Sequence, residues 1–151
     1  MGNTEFWGEI TVSPPLNADE IGYLKKFSGT RRMARDKGPY FVHGSGEFGQ
    51  GNDPDIRDLN EPPAGQPNLW CEWVPNENGT AIVWNGVEKF YDPEEWMSYL
   101  INHFLKSGAY ASKHLAFLQA NHTLNGIIEA ECQESKSYWR IIVEDNQVRT
   151  G

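Results

Sequence analysis

The first part of the chain has a strand pattern followed by a helix pattern. Apolar and polar residues alternate over residues 6–12, the period of a strand with one buried face. Asn17 and Glu20 are three residues apart, which is the spacing of a helix capping box. We therefore expect a helix to begin after Asn17 and to end near Gly29, a residue that favours helix termination.

The middle of the chain has the pattern of a β-hairpin. Residues 69–74 and 80–84 are two apolar runs, and the loop between them ends in Asn-Gly at 78–79, a strong turn signal. A second Asn-Gly pair at 85–86 predicts that the chain turns again. We expect a third strand over residues 87–90.

The last part of the chain combines a second helix with a second hairpin. Asp92 is a suitable N-cap and Pro93 suits the first helical position, before an apolar stripe over residues 96–105. Alternation returns at residues 124–132 and 139–143, with a polar turn between them. These two runs predict a terminal antiparallel hairpin.

Together these elements predict one α+β domain over residues 1–151. Their order is β-α-loop-β-β-(β)-α-β-β, which favours a mainly antiparallel sheet with two principal helices packed on one face. Residues 38–68 have no persistent period and are rich in glycine and proline. Long irregular loops in compact domains are uncommon and are either functional or disordered. This segment is therefore the best place to look for a site.

Charge is unevenly distributed along the chain. The formal net charge is −8, yet six of the thirteen lysines and arginines lie within residues 25–37, where Asp36 is the only acid. The rest of the chain has seven basic and twenty acidic residues, which argues against general nucleic-acid binding. No apolar stretch approaches membrane-spanning length, and the first residues do not resemble a secretory signal. We expect a cytoplasmic protein that does not bind membranes.

The arginines of the basic cluster are the first candidates for a binding site. Arg31, Arg32 and Arg35 can pair bidentately with a phosphate or with an acidic partner. Trp70 adds a possible contact anchor, because alternation places Trp70 and Trp73 on opposite faces of the hairpin. The alternative is that the cluster is a solvated helix end whose cations neutralise the acidic remainder of the chain.

A second hypothesis rests on a short resemblance to ADP-ribosyltransferases. His43, Gly44 and Ser45 look like the His-Gly-Ser entry of those enzymes, in which the histidine holds the NAD ribose. Glu129 and Glu131 are similar to their catalytic Glu-x-Glu. The resemblance implies an enzyme that handles a nucleotide or NAD. The alternative is that His43 lies in a turn and that the two glutamates line the solvated face of a strand.

Neither a metal nor a cofactor is predicted. Asp53, Asp55 and Asp58 offer oxygens to a hard cation, but the glycine and spacing of a calcium loop are missing, so a solvated acidic loop is favoured. Residues 44–49 have the spacing of a dinucleotide fingerprint. The residues after them, however, are a poor start for the helix that this chemistry needs.

Over most of its length the chain resembles a group of small uncharacterised bacterial and bacteriophage proteins. The matching stretches are residues 6–10, 14–16, 30–33, 65–73, 79–80, 84–86, 88–91, 95–97 and 125–126. The resemblance implies an origin but no mechanism. The sequence favours a non-catalytic binding or regulatory module that contacts a protein or a small anionic ligand through residues 31–35 and the 38–68 loop. The competing classes are the nucleotide-handling enzyme and a structural subunit of an assembly.

Overall fold

The computed structural model describes residues 3–42 and 53–151 of the protein. Its principal elements are β1 (Thr4–Ser13), α1 (Ala18–Ser28), β2 (Ala34–Arg35), β3 (Ile56–Asp58), β4 (Trp73–Pro75), β5 (Ala81–Trp84), α2 (Pro93–Leu100), β6 (Thr123–Cys132), β7 (Tyr138–Glu144) and β8 (Gln147–Thr150). Two helices and a mainly antiparallel sheet confirm the expected α+β class. No helix in the described part of the chain has both the length and the apolar character needed to cross a bilayer.

Six strands form the main sheet in the order β4-β5-β1-β6-β7-β8, and every neighbouring pair is antiparallel. The longest pairing joins β1 to β6, from Thr4 opposite Cys132 to Ser13 opposite Thr123. Gly126 allows the two strands to approach closely, because a Cβ atom there would lie 2.6 Å from the carbonyl oxygen of Glu9. Strands β2 and β3 form a separate small sheet.

The hydrophobic core lies between one face of the main sheet and the helices. Alternation in β1 buries Phe6, Ile10 and Val12 and leaves Trp7 exposed on the other face. Aromatic rings pack edge to face through this layer. Examples are Phe6 with Trp73, Phe27 with Trp96 and Phe27 with Phe104.

The predicted capping box is present at the start of α1. The Asn17 side chain accepts a hydrogen bond from the Glu20 amide, and the Glu20 carboxylate accepts one from the Asn17 amide. Glu20 is fully buried and also contacts Nε2 of buried His122 at 3.0 Å. The other ring nitrogen of His122 is 2.7 Å from the carbonyl oxygen of Pro14. This pair connects the start of α1 to the loop before β6.

The second helix differs from its predicted form at both ends. Asp92 is the N-cap residue, with φ of 55°, but its carboxylate accepts a hydrogen bond from Asn68 instead of capping the helix. After Leu100 the helix widens into a π-helical turn over Ile101–Leu105, closed by a hydrogen bond from the Lys106 amide to the Ile101 carbonyl. Within this turn His103 stacks on Tyr99, with ring centroids 3.8 Å apart.

The prediction of a strand over residues 87–90 is wrong. The Asn85 side-chain oxygen accepts a hydrogen bond from the Val87 amide, and Lys89 adopts φ of 61°, so the chain turns away from the sheet. A strand that the pattern did not indicate, β8, pairs with β7 at the other end of the sheet. Its four residues are too few and too polar to form a visible period.

Candidate ligand-binding cleft

Arg32 is buried, with 1% of its surface exposed, and it contacts its own chain. Its guanidinium donates hydrogen bonds to the carbonyl oxygens of Pro39 and Phe41, at 3.0 and 2.7 Å. The same group lies 4.2 Å from the centre of the Phe27 ring. Burial lowers the pKa of Arg32 to about 10. The side chain therefore holds residues 39–41 against α1 and does not face solvent.

Arg35 is also turned inward, with 8% of its surface exposed. Its Nη2 atom donates to Asp53 at 2.8 Å and to Asp55 at 3.3 Å. These two acids, which the sequence offered as metal ligands, thus neutralise an arginine. Asp58 accepts a hydrogen bond from the Asn60 amide in a turn. Within residues 3–42 and 53–151, no three histidine, cysteine or acidic side chains are grouped as metal ligands would be.

The residues of the ADP-ribosyltransferase resemblance are not brought together in the described structure. His43 and Ser45 lie outside the described residues. Glu129 and Glu131 lie on β6, where Glu129 is exposed, accepts a hydrogen bond from the Tyr138 hydroxyl and is paired in register with Arg140. The enzyme hypothesis stays a prediction.

Two of the predicted binding residues, Arg31 and Trp70, line one cleft of about 690 Å³. Its walls are the last turn of α1, the segment before β4 and the loop that follows β5. Six of its lining residues carry the chemistry discussed below: Lys25, Arg31, Trp70, Glu72, Lys89 and Tyr91. The structure thus brings together residues from three separate parts of the chain.

Backbone hydrogen bonds from the arginine cluster hold the wall that contains Trp70. The Arg32 amide donates to the Leu69 carbonyl at 2.7 Å. Asn68 donates to Asp92 at 3.1 Å and so connects this wall to the start of α2. Arg31 Nε donates to the Leu59 carbonyl at 3.1 Å, which orients the guanidinium at the side of the cleft. The cluster therefore contributes to the cleft mostly by positioning its wall.

Glu72 is a buried carboxyl group in this cleft, with 7% of its surface exposed. Its Oε1 atom accepts a hydrogen bond from Asn85 Nδ2 at 2.7 Å. The Asn85 amide has a fixed orientation, because its oxygen accepts from the Val87 amide at 2.9 Å. Burial raises the pKa of Glu72, and the hydrogen bond from Asn85 opposes part of that rise. The second oxygen, Oε2, has no donor among the described residues.

The sequence reasoning did not identify Glu72 as a site residue. The signal was present, because Glu72 is the single charged residue in the apolar run 69–74. A charged residue in a run that is otherwise buried needs a partner or a function. In this case the partner, Asn85, belongs to a turn that the sequence assigned to the sheet.

A second cavity, of about 640 Å³, lies between α2 and β8. It is lined by acidic residues, among them Asp92 and Glu94. Each of these two already accepts a hydrogen bond from the chain, Asp92 from Asn68 and Glu94 from Trp139. The first cleft has more uncommitted polar groups and is the better candidate site.

Comparison of the chain with protein-family models, with curated proteins and with solved structures found no match. The function is therefore argued from the chemistry of the cleft.

Proposed function

We propose that this protein is a non-catalytic binding module whose cleft holds a small ligand by an anionic group. The observation that carries the proposal is the placement of three cationic side chains, Lys25, Arg31 and Lys89, around one concave surface. The cleft volume falls in the range of small-molecule sites. Trp70 and Tyr91 supply the apolar surface that such sites use for most of their contact area.

The charge balance of the molecule favours an anion at this position. The chain has a net charge of −8, so most of its surface repels anions. In the cleft three cations face the acids Glu72 and Glu88, and the raised pKa of Glu72 disfavours its charged form. No carboxylate of the described residues lies within ion-pair distance of Lys25 or Lys89. Both ammonium groups are therefore available to a ligand.

The lining residues favour binding over catalysis. A nucleophile needs a base within hydrogen-bond reach, and the described lining contains no histidine or cysteine. Ser28, the hydroxyl residue among them, donates its proton to the Cys71 carbonyl at 2.6 Å. We therefore infer that the cleft holds its ligand unchanged.

The test is binding of inorganic phosphate and pyrophosphate, measured by calorimetry and by thermal unfolding. We expect saturable binding to the unmodified protein and a rise in its melting temperature, since a ligand at a hundred times its Kd stabilises a protein by about 2.7 kcal/mol. The double variant Lys25→Glu/Lys89→Glu should lose this binding. Lys113→Glu, a charge reversal at an exposed residue outside the cleft, is the matched control.

Equal binding by the double variant and by the Lys113 control would reject the cleft as the site. Arg31→Glu is a useful third variant because Arg31 is only partly buried. Substitutions of Arg32 and Arg35 are unsuitable for this purpose, since both side chains hold the fold together.

A further inference from the structure

The most informative group in the cleft is the free oxygen of Glu72. Asn85 satisfies Oε1 and its own orientation is fixed by the Val87 amide, so no rotation of Asn85 supplies a donor to Oε2 without breaking another hydrogen bond. A side chain that is more than nine-tenths buried and lacks a partner on one oxygen is costly unless a donor reaches it. A ligand with an N–H group directed at Oε2 would supply that donor.

The cleft also contains two aromatic rings, Trp70 and Tyr91. A flat heterocycle suits such surfaces because stacking on an aromatic side chain requires only a π face. The cations Lys25, Arg31 and Lys89 belong to the same cleft. An anionic group, a planar ring and an N–H donor on that ring are the three features that this set of side chains recognises together.

We propose that the ligand is a nucleoside monophosphate with its phosphate on the cationic side chains, its base against the aromatic residues and an N–H donor of the base on Glu72 Oε2. This inference rests on the proposed function and names its ligand class. Guanine is the base that fits best, because its pairing edge carries adjacent N–H donors and a carboxylate is a pure acceptor. Adenine places a ring-nitrogen acceptor beside its amino group and is matched less well.

A mononucleotide is favoured over a polynucleotide by the charge of the molecule. A nucleic-acid strand needs a basic track that neutralises successive phosphates. The chain is acidic overall and the cleft is a single concavity. Its volume of about 690 Å³ is suited to one ligand of drug-like size.

The experiment is calorimetric titration of the full chain with guanosine monophosphate, adenosine monophosphate, guanosine and inorganic phosphate. We expect guanosine monophosphate to bind at least tenfold more tightly than phosphate and more tightly than adenosine monophosphate. Glu72→Gln should weaken guanosine monophosphate binding at least tenfold and leave phosphate binding unchanged. The amide oxygen of Gln would stay with Asn85, so its NH₂ group would face the N–H donors of the base.

Two further variants make the test specific. Glu77→Gln, at an exposed glutamate in the turn between β4 and β5, is the matched control and should bind like the unmodified protein. Trp70→Ala should weaken guanosine monophosphate about tenfold through lost stacking, with phosphate binding retained. Thermal unfolding of each variant establishes that it is folded.

The outcomes separate the two proposals. If phosphate binds but guanosine monophosphate binds no better, or if Glu72→Gln binds guanosine monophosphate like the control, the nucleotide inference is wrong and the anion site stands. If neither phosphate nor guanosine monophosphate binds, both proposals fail.

Discussion

The main sheet and the segment of residues 31–66 are stabilised by different kinds of interaction. In the sheet, backbone ladders and alternating apolar side chains fix each strand, and the longest pairing runs over the full length of β1 and β6. In the described part of the segment, two buried guanidinium groups replace the apolar core. Arg32 holds the carbonyl groups of residues 39 and 41, and Arg35 holds Asp53 and Asp55.

This difference explains why a cluster of arginines is an ambiguous signal. A segment rich in glycine and proline has few apolar side chains to bury, so its backbone carbonyl groups need donors from elsewhere. Arginine supplies several donors from one planar group. The same property makes arginine suitable for phosphate, and only the fold separates the two uses.

The largest effect is expected from Gly126→Ala, which tests the sheet. A Cβ atom there would lie 2.6 Å from the Glu9 carbonyl oxygen, and φ at this position is +153°. We expect the free energy of unfolding to fall by roughly 3–4 kcal/mol, measured by urea denaturation. Gly22→Ala is the control, since a Cβ atom there meets nothing within 4 Å and alanine favours a helix by about 0.5–1 kcal/mol. Similar stability of the two variants would contradict the close approach of β1 and β6.

Arg32→Met tests the segment and should have the next largest effect. The variant keeps an apolar stem but leaves the carbonyl groups of Pro39 and Phe41 without their donor. We expect a loss of about 2–3 kcal/mol. Amide hydrogen exchange should become faster around residues 38–42 and stay unchanged in β6. Unchanged or higher stability would mean that the buried guanidinium costs more than its hydrogen bonds contribute.

Arg35→Met should destabilise the protein by about 1–2 kcal/mol, because Asp53 and Asp55 would lose their counter-charge while remaining partly open to solvent. Arg57→Met is the control: its ion pair with Asp36 is exposed, and such pairs contribute less than about 1 kcal/mol. Chemical denaturation of the two variants measures the difference. The interpretation of Arg35 as a structural residue fails if both variants behave alike.

The smallest effect concerns Glu72 and depends on pH. Its pKa in the folded chain lies above the ordinary value of 4.5, so the cost of burying its charge is absent below that value and develops as pH rises through the folded pKa. The difference in Tm between the unmodified protein and Glu72→Gln should therefore decrease as pH rises from about 4 to 8. A difference that increases with pH would show that the folded chain prefers the charged form. Glu77→Gln should give no such trend.

The strongly periodic elements could be predicted from the sequence because their burial repeats with the period of the backbone. The strand at residues 6–12, the capping box of Asn17 and Glu20 and the terminal hairpin are confirmed for this reason. The Asn-Gly pair at 78–79 correctly indicated the hairpin of β4 and β5. At 85–86 the same dipeptide failed as a strand signal, because the Asn85 side chain bonds to its own turn and to Glu72.

The candidate site could be predicted only in part. Arg31 and Trp70 were identified, but the roles of Arg32 and Arg35 depend on partners 7 to 20 residues away in sequence. No local pattern records those contacts. Lys25, Lys89 and Glu72 come from elements that the sequence treated separately, and the fold brings them to one cleft.

The π-helical turn at Ile101–Leu105 has a consequence for length variation in this chain. A π turn holds one residue more than an α turn, so deleting one residue there would restore a regular helix and rotate all that follows by about 100°. The Tyr40 hydroxyl, now 2.7 Å from His103 Nδ1, would lose that neighbour. A homologue that is one residue shorter at this point should therefore have a different aromatic residue, or none, in place of Tyr40.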